Sequence, residues 1–121
     1  MTRKDKIKKP FSYSTGEQVF ELIGKSRSSG NAARHSFSHA IIPASCSSRP
    51  HYHLQSEETF HFTKGNGRMI VDERKFDVGP GDTVLISPKE KHQVLNNSDK
   101  KLEFIVVCAP GWNQNDCVFL D

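Results

Sequence analysis

His51 and His53, in the stretch RPHYHLQSEETF (49–60), stand one residue apart and are followed by adjacent glutamates, Glu57 and Glu58. In an extended strand, residues i and i+2 point to the same face with Cα atoms about 6.6 Å apart. Two imidazoles so placed can reach one metal ion, and a carboxylate can share the coordination sphere. An exposed His-x-His on a polar strand is the competing reading, and the pair alone does not decide between the two. Period separates the glutamates. Glu58 shares a face with Phe60 and Phe62, whereas Glu57 shares one with Thr59, His61 and Thr63. A strand lining a barrel buries its phenylalanine series, which carries Glu58 inward and leaves Glu57 and His61 at the surface. Burying a lone carboxylate is costly, and a cation removes that cost. Glu58 is the better ligand of the two.

The elements that must position these groups are strands. No helical period of useful length is present. Short runs rich in Val, Ile, Phe and Thr alternate with Gly, Pro, Asn and Ser at spacings of about 8–12 residues. Strands are predicted at 17–23, 36–42, 49–53, 58–63, 67–72, 75–78, 83–86, 92–96, 102–108 and 117–120. KGNG (64–67) and VGPGD (78–82) supply residues able to turn at positive φ. The longest irregular stretch, GKSRSSGNAAR (24–34), is expected to be a mobile loop. About ten short antiparallel strands in 121 residues predict an all-β jelly-roll barrel, a single domain over 11–121 preceded by a flexible basic N-terminus, 1–10.

Two separated motifs resemble the cupin family. Its first motif, G(X)5HXH(X)3–4E(X)6G, is matched by His51, His53, Glu58 and Gly65 at the right spacings, with Ser45 at the position of the leading glycine. Its second, G(X)5PXG(X)2H(X)3N, is matched by Gly81, His92 and Asn96, with Ser87 in place of the proline and Lys89 in place of the glycine. The resemblance runs over roughly 36–108. It implies an antiparallel double-stranded β-helix of RmlC-like type, with His51, His53, Glu58 and His92 holding one divalent transition metal ion per chain. Three imidazoles and a carboxylate suit Fe, Mn, Ni, Co or Zn without choosing among them.

The activity that the resemblance implies is metal-dependent chemistry on a small, oxygen-rich molecule that chelates the ion. Dioxygenase or oxidoreductase chemistry is the first expectation. Sugar or sugar-phosphate isomerisation, cyclisation, and passive ligand binding are the alternatives. The general base is unassigned; Glu58 is one candidate. His35 and His39, which share parity with Phe37 and Ile41, are others if they turn into the barrel, although an ordinary core or edge histidine explains them as well. Phe60, Phe62, Met69, Val71, Phe104 and Val106 read as core or pocket wall, and Trp112 as covering one end of the barrel or contacting a partner subunit. Asn96 either orients the site or starts a turn.

Composition narrows the remaining classes. With 35% apolar and 26% charged residues the chain reads as globular, and no apolar run approaches a membrane span. Three cysteines without a CxxC pattern argue against a disulfide framework and for a reduced, cytoplasmic protein. The net charge of +3 is concentrated in residues 1–9, where five basic side chains face only Asp5. Without a basic stripe on the body, no nucleic-acid partner is expected. Apolar edge strands at 17–23 and 102–108 predict a homodimer.

Overall fold

A computed structural model of the chain describes residues 9–24 and 34–121. The expectations for residues 1–8 of the N-terminus and for 25–33 of the irregular stretch lie outside the described residues. Eleven strands are present among the described residues: β1 (Phe11–Ser12), β2 (Gln18–Ile23), β3 (Ser36–Ile42), β4 (His51–His53), β5 (Glu57–Lys64), β6 (Gly67–Val71), β7 (Arg74–Val78), β8 (Thr83–Ile86), β9 (His92–Leu95), β10 (Leu102–Ala109) and β11 (Cys117–Phe119). They form a six-stranded sheet, ordered β1-β2-β3-β10-β5-β8, and a five-stranded sheet, ordered β11-β4-β9-β6-β7. All strand pairings are antiparallel. This is the jelly roll that the strand spacing predicts; only the two-residue β1 was not anticipated. Among the described residues no helix is long and apolar enough to cross a membrane.

The core lies between the sheets. Phe60, Phe62 and Phe104 stack there with ring centroids 5.1–6.5 Å apart, against Met69, Val71 and Val94 from the facing sheet. Alternation along β5 gives the predicted result: Glu58, Phe60 and Phe62 are buried and Glu57 and His61 exposed. Strands β2 and β10, predicted to be edges, are interior to the six-stranded sheet. The N-terminal β1 covers one side of β2, and β5 pairs with the free side of β10. The edge argument for a homodimer is therefore lost.

Two departures from the family's glycines keep the glycine backbone. Ser45 has φ 61° and Lys89 has φ 70°, both in the left-handed region. Lys89 holds its turn by donating its N–H to the carbonyl of His53, at 2.7 Å. A residue with a Cβ sits there at a cost of about 1 kcal/mol. Lys89→Gly is accordingly expected to raise the melting temperature slightly, by at most about 0.5 kcal/mol of stability once the greater freedom of unfolded glycine is subtracted. Lys89→Ala, which keeps the Cβ, should leave it nearly unchanged.

Candidate metal centre and its pocket

Three histidines from one sheet meet a glutamate from the other. His51 on β4 lies directly opposite His92 on β9 in the antiparallel register, and their rings are 4.3 Å apart. His53, two residues on, projects from the same face of β4. Glu58 enters from β5, its Oε1 3.0 Å from His53 Nε2 and 2.8 Å from His92 Nε2. One ligand atom from each of the four residues lies within 4.8 Å of the others. His51 Nδ1 is 2.8 Å from the carbonyl of Arg49, and His92 Nδ1 is 2.9 Å from that of Glu90. Donation to those carbonyls fixes the tautomer and leaves each Nε2 lone pair facing the cluster.

Buried polar atoms ordinarily find partners. Here His53 Nε2, His92 Nε2 and Glu58 Oε1 are buried without a hydrogen-bond partner. Three such atoms converging on one point, with nitrogen and carboxylate donors, fit a divalent cation. The electrostatics agree with that fit. Burial alone would raise the Glu58 carboxyl, but the close imidazoles of His53 and His92 outweigh it and hold the group below the usual carboxylate range. Burial, aided by His92, pushes His51 down to about 4, so it is a neutral imidazole at physiological pH. His92 moves the other way: burial lowers it, and the stronger pull of Glu58 raises it.

The cluster forms part of the wall of an open pocket, which His51 and Glu58 both line. Its lining interleaves aromatic side chains, Phe11 packed on Trp112 and Tyr13 on Phe119 at centroid distances of 6.4 and 6.2 Å, with Ser36, Ser38, Ser48, Glu17 and Glu21. The Trp112 backbone N–H donates to Ser36 Oγ at 3.0 Å. Burial and the nearby Glu58 push the Glu17 carboxyl up to about 7.

A family model described as the Cupin domain matches residues 38–108, which is more than half of the chain. The chain belongs to the cupin family. An uncharacterized protein of Methanocaldococcus jannaschii, MJ1618, is 32% identical over 120 residues, covering 99% of this cupin and 94% of that protein. Among solved structures, the polyketide cyclase RemF from Streptomyces resistomycificus superposes with a TM-score of 0.77 at 22% identity, over 100% of this chain and 87% of that one. The nucleoside dehydratase Pac13, from Streptomyces, gives a TM-score of 0.77 at 12% identity, over 99% and 92%. These two likenesses are of fold.

Within the cupin barrel, His35 and His39 take the ordinary edge-histidine reading and not the base-candidate one. His39 faces away from the cavity, because β3 buries Ser36, Ser38, Ala40 and Ile42 instead of the opposite parity. Its Nε2 pairs with Glu103 at 3.1 Å on the outer face, and its ring stacks on Phe20. His35 is exposed at the start of the same strand. Neither reaches the cluster as a base. Asn96 is a turn organiser and not a site residue, as its hydrogen bonds below show. The cysteines are free thiols. Burial pushes Cys108 and Cys117 up to about 12, which keeps both neutral.

The cupin also uses residues that the sequence reading did not single out. Asp116 accepts the backbone N–H groups of Gln55 and Ser56 at 2.7 and 3.2 Å, and its Oδ2 is 3.7 Å from His53 Nδ1. It is the carboxylate behind His53. The adjoining β11 pairs with β4, setting Cys117 opposite His53 and Phe119 opposite His51. At 3.7 Å this is a charge contact and not a hydrogen bond, and His53 Nδ1 has no hydrogen-bond partner. Loss of a hydrogen-bonded carboxylate behind a ligand weakens metal binding about 10–100-fold, and the lower end of that range applies to this looser contact. That loss is the expected result for Asp116→Ala, measured by competition with a chromogenic chelator. Glu17 and Glu21 were missed because Phe20 lies on the opposite parity of β2 and invites the reverse orientation.

Proposed function

We propose that this cupin is a metal-dependent enzyme acting on a small molecule in the barrel pocket, with oxidoreductase chemistry of the dioxygenase type as the first reading. One observation carries it: His51 and Glu58 belong both to the four-residue cluster and to the wall of an open pocket. His51, His53, His92 and Glu58 would hold one ion of the Fe, Mn, Ni, Co or Zn class. A bound ion supplies Lewis acidity or, if it is iron, electron transfer to O₂.

The chain's own residues supply the rest. Phe11, Trp112 and Phe104 shield the pocket from water and give a planar substrate apolar surface. The substrate's hydroxyl, enol or carboxylate oxygens face His51 and Glu58. Glu17, pushed up to about 7, is poised to take or give a proton beside the cluster without being one of its members.

That same Glu17 supports a second, non-redox reading, of cyclase or dehydratase type. Sugar-phosphate isomerisation is disfavoured, since among the described residues no Lys or Arg lines the pocket. A homodimer is proposed through the outer face of the six-stranded sheet, where Phe20, Phe37, Ile105 and Val107 are half-buried, instead of through strand edges; light scattering measures it.

The deciding experiment is elemental analysis of protein purified without chelator, followed by O₂ uptake with a library of chelating small molecules. Iron with substrate-dependent uptake supports the first reading. Zinc or nickel with substrate consumed and no uptake moves the protein to the second. Binding without turnover for every compound overturns both and leaves a ligand-binding barrel.

A further inference from the structure

One strand face supplies part of the pocket wall. Glu17, Val19 and Glu21 alternate toward the cavity along β2 and the residue before it. Glu17 is fixed at its root. Its carbonyl accepts the Tyr13 N–H at 3.0 Å, and the Gly16 N–H closes the turn on the Tyr13 carbonyl at 2.9 Å. Gly16 has φ 101°, and a Cβ there would meet Cys46 Sγ at 2.5 Å, so the turn that aims Glu17 is sterically determined. Among the described residues Glu17 makes no ion pair, and no Lys or Arg lines the pocket to offset it. In the same pocket Glu58, 5% exposed, has its Oε1 turned to the imidazoles of His53 and His92 at 3.0 and 2.8 Å. Aromatic side chains, Phe11, Tyr13, Trp112 and Phe119, share the lining. An anion entering this space meets Glu17 with no cation beside it among the described pocket residues.

We propose that Glu17 is the specificity-determining residue of the pocket, selecting an aromatic or otherwise planar ligand that carries a cationic or hydrogen-bond-donating group and rejecting anions. The proposal rests on the small-molecule reading above and narrows it. A substrate would approach the cluster through a neutral oxygen and present its amine, amidine, amide or ring N–H to Glu17. A buried charged pair of this kind is worth about tenfold or more in affinity.

The test uses three isosteric probes, benzamidine, benzamide and benzoate, titrated by calorimetry at about pH 8, where a carboxyl near 7 is largely ionised. Metal-free protein is used so that no probe gains by ligating an ion. Wild type is expected to bind benzamidine at least about tenfold more tightly than benzoate, with benzamide between them. Glu17→Gln, which is isosteric, should bring the ratio near one, and Glu17→Asp should keep most of it. The proposal is overturned by benzoate binding as tightly as benzamidine, by no binding of any probe, or by a preference unchanged in Glu17→Gln. A metal titration of both proteins reads the site independently. Equal uptake with the preference abolished supports both readings, whereas no uptake with the preference intact sinks the metal reading alone.

Discussion

His51→Ala, His53→Ala and His92→Ala should each lower metal affinity by about 100-fold or more while the barrel stays folded, because each removes one of four converging donors. His61→Ala is the control: His61 is exposed, its Nδ1 bound to Thr83 Oγ1 at 2.8 Å, and uptake should be unchanged. Undiminished uptake in the three variants would refute the assignment. Stability gives a second readout. Since three donors come from one sheet and Glu58 from the other, an ion would tie the sheets together. At a concentration 100 times its Kd it should stabilise wild type by about 2.7 kcal/mol, a shift that the variants lose.

The pH dependence has a definite sign. His92 is raised above its ordinary value by Glu58, so its proton competes with the metal. Uptake should weaken as pH falls through that raised value, and metal binding near it should release the His92 proton. His51, already neutral at about 4, and Glu58, already ionised, release none there.

The second large effect is structural. Asn96 is fully buried, and its Nδ2 donates to the carbonyls of Ile42, Pro43 and Lys100 at 2.9, 3.1 and 2.8 Å. Its Oδ1 accepts the Ser98 N–H and Oγ–H at 3.0 and 2.7 Å. One side chain thus closes the turn before β10 and ties it to the end of β3. Asn96→Ala strands these groups without partners and should cost about 3–5 kcal/mol, lowering the melting temperature by roughly 10–20 °C. The fraction that remains folded should bind metal with near wild-type affinity. A large affinity loss at unchanged stability would instead place Asn96 in the site.

Alternation orients β5 correctly but gives no usable orientation for β2 and β3, for one reason. On β5 the apolar parity, Phe60 and Phe62, faces the core, so it carried Glu58 correctly. On β2 and β3 both parities hold apolar side chains. Phe20 and Phe37 lie on the outer face, while Glu17, Glu21, Ser36 and Ser38 turn toward the pocket. Where a barrel encloses a functional pocket its inner face is not its most hydrophobic one, and period alone then points the wrong way. Asp116 was illegible for a different cause: its partner His53 lies more than sixty residues away, and a strand of three residues, β11, makes the connection. Local spacing revealed the four-residue cluster because His51, His53 and Glu58 sit within one hairpin-sized stretch, and the second motif marked the distant His92.

The pairing of β11 with β4 also orders events during synthesis. A growing chain has made all four cluster residues once His92 is added, yet β4 then still has an open side, and Asp116 has not been translated. Until Cys117–Phe119 docks on β4, His53 lacks both its strand neighbour and the carboxylate behind it. Assembly of the cluster is thereby coupled to a pairing between segments more than sixty residues apart in the chain.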